Sequence, residues 1–140
     1  MNRMENLLLI GEKNGTKRHL LIDENGIPLS ITITGGNRND VTQMEQIITN
    51  KNIKPKKRMQ QNICVDKGYK GQEIHNRLKK RGYVIRMQQK KRWIVETMHS
   101  WFNNFRKIKT RYEKTNKSFL ALHKLASALM IFRRVIVIYG

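Results

Sequence analysis

The chain holds a single cysteine, Cys64, in 140 residues. One thiol excludes an internal disulfide and reads as the usage of an intracellular protein. Acidic residues are scarce as well: 10 Asp+Glu stand against 29 Lys+Arg, a formal net charge of +19. A compact fold carrying that excess repels itself, so a polyanionic partner is expected, nucleic acid first and an anionic membrane second. Long apolar runs are also missing. The longest, near the C-terminus, is broken by Lys124, Arg133 and Arg134, which excludes a spanning helix and leaves a buried or docking one. No charged start, apolar segment and small-residue cleavage site follow one another at the N-terminus, so no secretory signal is expected. What is present, 39% hydrophobic residues, suffices for the core of one domain at most.

Residues 1–12 carry little periodic signal and read as a poorly specified lead-in; the remainder, 13–140, reads as one domain. HLLID (19–23) and IPLSITIT (27–34) flank Glu24-Asn25-Gly26, turn chemistry that supplies the positive φ of a hairpin. Alternation in the second strand puts Leu29, Ile31 and Ile33 on a packed face and Ser30, Thr32 and Thr34 on a less packed one. Asn39 or Asp40 is positioned to cap a helix over 41–49, and Asp40 reads as a cap rather than as a functional carboxylate. A basic connector (51–61) leads to a short strand, NICVD (62–66). A helix over 72–81, stopped by Gly82, and a strand over 83–87 follow. Two long helices, 92–109 and 119–138, complete an α/β order in which strands join in parallel after the initial hairpin.

The segment 92–109 is the most informative. At 100° per residue, Ile94, Met98, Trp101, Phe102, Phe105 and Ile108 form one stripe facing the core. The opposite face collects Arg92, Glu96, His99, Asn103, Arg106 and Lys107. Glu96 has two readings: an i,i+4 partner of Arg92, worth a few tenths of a kcal/mol, or a functional carboxylate in a basic row. Asp66 is likewise either a turn aspartate or a ligand-facing carboxylate at the end of a strand, before Lys67-Gly68-Tyr69. His19, His75, His99 and His123 show no metal-ligand spacing. Trp101 reads as core packing, whereas Trp93 leaves base stacking open.

Taken in order, LLIDENGIPLSITITGGNRNDV, CVDKGYKG, KKRWIVETMHSWFNNFRKIKTRYEK and LALHKLASALMIFRR resemble the carboxy-terminal part of the catalytic region of DDE-type bacterial insertion-sequence transposases, from about residue 13 to 134. Ordered blocks make this more specific than a lone motif. The resemblance implies a ribonuclease-H-like mixed sheet with flanking helices, truncated here, and metal-dependent strand cleavage and transfer on DNA. It puts the aspartate of the family's Asp-x-Gly-Tyr block on Asp66, the helical glutamate on Glu96, and the arginine four residues before it on Arg92. Asp66 and Glu96 would be metal ligands. Arg92, with Lys67, Lys70, Lys91, Asn103, Arg106 and Lys107, would meet DNA. The tyrosine that many relatives place three residues before the arginine is Gln89 here, and a lysine seven residues after the glutamate is Asn103.

The cofactor implied is Mg²⁺ or Mn²⁺, as a pair of ions about 4 Å apart held by oxygen ligands. A first catalytic aspartate belongs on a strand upstream of the block 11–19, and residues 1–10 contain Glu5 but no aspartate. Asp23 falls in a hairpin turn and Asp40 in a loop, so neither replaces it. The expectation is a chain inactive alone, with the missing aspartate lost by decay or supplied by an upstream frame through frameshifting. Loss of the first strand would also bare a sheet edge and promote aggregation. The expected partners are double-stranded DNA, another copy or an intact transposase in a mixed oligomer, and no membrane. The expected setting is the nucleoid of a bacterial cytoplasm. A non-enzymatic basic DNA-binding protein that inhibits transposition is the alternative.

Overall fold

The structure is a computed structural model that describes residues 6–51, 60–65, 69–87 and 92–139. Its centre is a five-stranded mixed sheet in the order β3-β2-β1-β4-β5. β1 (Asn6–Asn14), β2 (Thr16–Ile22) and β3 (Pro28–Gly35) form an antiparallel meander. β4 (Gln61–Val65) runs parallel to β1, and β5 (Tyr83–Met87) parallel to β4.

β1 corrects the sequence reading of the N-terminal region. Residues 6–14, assigned no element above, form the central strand, with Leu9 opposite Leu21 on one side and Val65 on the other. The bare edge expected there is filled, and the sheet's edges are β3 and β5.

The β2–β3 turn has the expected chemistry. Gly26 adopts φ 77°, and a Cβ there would also meet Ile94 Cγ2 at 3.2 Å. The Asp23 carboxylate accepts from the amides of Asn25 (2.9 Å) and Ile27 (2.7 Å), which gives this aspartate a structural job. The second hairpin face is not the open one expected. Thr32 and Thr34 are buried along with Ile31 and Ile33, because helices cover both faces of the sheet. The ladder shifts register between Leu21 and Ile22, and Leu29 packs with the opposite cluster from Ile31.

On one face lie α1 (Asp40–Thr49) and α2 (Gln72–Lys80). Met44, Ile47, Ile48 and Leu78 from these helices meet Leu21, Ile63 and Val65 of the sheet. Asn39, not Asp40, caps α1, its side chain accepting from the Val41 amide at 3.2 Å. Asp40 instead begins the helix and pairs with Lys17 at 2.8 Å. That pairing fits a carboxylate in a helix's first turn and answers a lysine whose side chain is only 10% exposed. Asn39→Ala is expected to cost about 1 kcal/mol, read as a lower denaturant midpoint with an unchanged m-value. Gly82, at φ 88°, terminates α2 as its sequence position suggested, its amide bonding to the Lys79 carbonyl at 3.0 Å.

On the other face lie α3 (Arg92–Asn103), α4 (Arg106–Lys109) and α5 (Asn116–Tyr139). Ile94, Met98, Phe102, Ile108, Ala126 and Met130 pack on Leu20, Ile22, Ile31 and Cys64. The single helix expected over 92–109 is thus two. Asn103-Asn104 are weak helix formers, and Phe105 turns extended (φ −82°, ψ 108°) to head α4 while packing against the core. No helix among the described residues is long and apolar enough to cross a membrane.

Candidate active site

Glu96 lies on α3 with its side chain exposed, three residues along from Trp93, which is exposed too. Ile94, Met98 and Phe102 from the same helix are buried, so the core stripe holds the helix and presents Glu96 outward. Trp101 is half-buried on the core cluster, with the Arg134 guanidinium 5.3 Å from its ring centroid. That matches the packing role inferred for it.

Asp66, Lys67 and Lys91 fall outside the described residues. Arg92 opens α3. Lys70 is exposed just beyond Tyr69. Arg106 and Lys107 are exposed on α4 rather than on a continuation of the Glu96 face, and Asn103 is half-buried. Among the described residues, no three His, Cys, Asp or Glu side chains converge where they could hold a metal ion. Glu96 offers the hard oxygens that Mg²⁺ or Mn²⁺ takes, but one carboxylate is not a site.

Within the fold the structure brings together residues that the sequence left scattered. Tyr69 is fully buried, its hydroxyl 2.8 Å from His19 Nδ1, and His19 Nε2 lies 2.8 Å from Thr34 Oγ1. The Tyr69 carbonyl also lies 2.9 Å from His75 Nε2. The tyrosine of the CVDKGYKG block is therefore an anchor that ties the chain after β4 to β2, β3 and α2.

His99 corrects the helical wheel. It is buried rather than displayed beside Glu96. Arg18, from the α3-facing side of β2, reaches up so that one terminal nitrogen lies 3.3 Å from His99 Nδ1 and Nε donates to His123 Nε2 at 2.9 Å. His123 Nδ1 lies 2.8 Å from the Phe119 carbonyl, which fixes the tautomer: Nδ1–H donates there and Nε2 accepts from Arg18. The Phe102 ring lies 5.1 Å from the Arg18 guanidinium carbon. Burial, reinforced by the Arg18 charge, lowers the His99 pKa to about 4. Burial likewise lowers His123 to about 4, the hydrogen bond to Phe119 opposing and Arg18 assisting. His19 is also lowered, chiefly by burial. These histidines are neutral core residues, and no spacing rule along the chain could have grouped them.

A mixed sheet ordered 3-2-1-4-5, covered by helices on both faces and displaying a glutamate from α3, is compatible with a ribonuclease-H-like fold. The comparisons with known proteins are specific. Residues 11–91, more than half of the chain, match the family model of a transposase DDE domain, and residues 83–133 match a second transposase DDE domain model. The chain is 32% identical over 133 residues to the transposase assigned to insertion sequence element IS402 of Burkholderia cepacia. That match covers 83% of this chain and spans 62% of the relative's length. The chain belongs to the DDE transposase family.

Proposed function

We propose that this chain serves DNA transposition as the carboxy-terminal part of a DDE catalytic domain, acting in metal-dependent strand cleavage and strand transfer at transposon ends. One observation supports the reading above others: Glu96 stands exposed on a helix clamped by its buried stripe, and the resemblance puts the family's glutamate on this residue. Asp66 and Glu96 are the proposed ligands of Mg²⁺ or Mn²⁺. Arg92, Lys67, Lys70, Lys91, Asn103, Arg106 and Lys107 are the proposed contacts to DNA, and exposed Trp93 is open to stacking on a base. With two carboxylates offered where the family uses three, the chain alone is expected to bind duplex DNA without cutting it.

Both parts can be tested on purified protein. Duplex affinity should fall steeply with salt, log K declining against log[salt] by about 0.9 per phosphate neutralised. A salt-independent affinity, or a preference for structured RNA at matched salt, would remove DNA as the partner. Incubation of terminal-repeat duplex with Mg²⁺ or Mn²⁺ should leave both strands intact. Nicking that is abolished by Glu96→Gln would instead make the chain an enzyme in its own right.

The second reading, a DNA-binding regulator that competes with an intact transposase, rests on the excess of 29 Lys+Arg over 10 Asp+Glu, which suits a polyanion without requiring catalysis. Its mark would be inhibition of an active transposase in trans that survives Glu96→Gln. Mixed oligomers or fusion to an upstream polypeptide would serve either reading.

A further inference from the structure

A cavity of about 340 Å³ lies between the start of β2, the end of α3, α4 and the start of α5. Its polar lining is Thr16, Arg18, Asn103, Lys109 and Arg111, with Phe119 as an apolar wall. The volume sits at the lower edge of the about 300–1,000 Å³ typical of small-ligand sites. Three cations and two neutral hydrogen-bonding side chains converge there, and among the described residues no carboxylate is part of the lining. Glu113, in the same turn, contributes its backbone carbonyl to Arg111.

Arg111 is the unusual member. It is exposed, yet all three nitrogens of its guanidinium are engaged. Nε donates to the Glu113 carbonyl at 2.9 Å, and the terminal nitrogens donate to Thr16 Oγ1 at 2.8 Å and Asn116 Oδ1 at 2.9 Å. The guanidinium carbon lies 5.0 Å from the Phe119 ring centroid. An exposed arginine normally gives up rotamer entropy when it meets a ligand. This one is already oriented, and the donors left over in its fork suit the oxygens of a phosphate.

We propose that this cavity is a seat for one backbone phosphate of duplex DNA, held by the Arg111 fork and the Lys109 ammonium, with Asn103 and Thr16 at its rim. The assignment rests on the DNA-binding reading above and adds a fixed contact outside the Glu96 face. It also gives Asn103 a different neighbourhood from the row in which the helical wheel placed it.

The test compares the full chain with Lys109→Ala, Arg111→Lys and, as a control on a different part of α5, Lys124→Ala. One arm titrates a short duplex across a salt series. The other reads the melting temperature in inorganic phosphate against chloride at equal ionic strength. Lys109→Ala and Arg111→Lys should each weaken duplex binding several-fold and reduce the salt slope by about one, while Lys124→Ala leaves the slope unchanged. Phosphate should raise the melting temperature of the unmodified chain and do so less for Lys109→Ala, an exposed substitution that leaves the fold intact. Lys109→Ala matching Lys124→Ala in both arms overturns the seat while leaving DNA binding in place. A phosphate effect that depends on Lys109, without a change in duplex binding, transfers the seat to free phosphate and overturns the DNA assignment. If the unmodified chain binds no duplex at low salt, the DNA reading itself fails and the seat for a DNA phosphate fails with it.

Discussion

Phe102→Ala is expected to destabilise the protein by about 3–5 kcal/mol, the cost of emptying a fully enclosed aromatic site. Phe102 is 0% exposed and sits where β2, α3 and α5 meet. Its ring lies 5.1 Å from the Arg18 guanidinium carbon and 5.5 Å from the His123 ring. Truncation therefore removes more than buried apolar area. It opens the wall that keeps a charged guanidinium and two neutral imidazoles away from water, and the arginine's acceptors would have to compete with solvent. For a domain of this size the loss should lower the melting temperature by roughly 10–15 °C. Trp93→Ala, at a residue 66% exposed, is the matched aromatic control and should change stability by less than about 0.5 kcal/mol. A melting temperature for Phe102→Ala close to that of the control would show that the cluster is not the structural centre of this face.

Acidification is the second large effect, and its sign follows from the buried histidines. His99 and His123 are held at about 4 in the folded protein, below the ordinary 6.5. Above pH 6.5 both states keep these imidazoles neutral and they contribute no pH dependence. Between 6.5 and 4 the unfolded chain takes up protons that the folded chain refuses, so stability falls as pH falls and levels off below 4. The two histidines act together across that window, and His19 acts in the same direction. Denaturant midpoints between pH 7 and pH 4.5 would record the decline. His123→Gln should lower stability at pH 7 but flatten the curve, because one proton fewer separates the two states. An unchanged slope in that variant would mean that His123 titrates normally in the fold.

The elements read correctly from sequence are those whose signal is local. The Asp23–Gly26 turn chemistry, the α3 stripe of Ile94, Met98 and Phe102, and the stop at Gly82 each depend on residues a few positions apart. β1 escaped notice because NLLLIGEKN neither alternates nor repeats at helical spacing. Its identity comes from pairing with Leu20–Ile22 and with Asn62–Val65, the latter more than fifty residues away. Asn39 and Asp40 are chemically equivalent candidates for the cap of α1 in the sequence; only Lys17, brought up from β2, separates their roles. His99 was put on the wet face because a helical wheel knows nothing of what approaches the helix from outside, and here that is Arg18.

The sequence by itself determined the α/β class, the core stripe of α3, the basic excess that calls for a polyanion, and the ordered blocks that carry the family resemblance. The first three are written in spacing and composition, and the last in the order of the blocks that resemble the family. Tertiary structure alone decided that a strand from residues 6–14 fills the centre of the sheet, that Arg18 meets His99 and His123 across 81 and 105 residues, and that Thr16, Lys109 and Arg111 line one cavity. Contacts at those separations have no local signature. They exist because two helical layers close over one sheet, and burial then forces each polar group inside to find its partner.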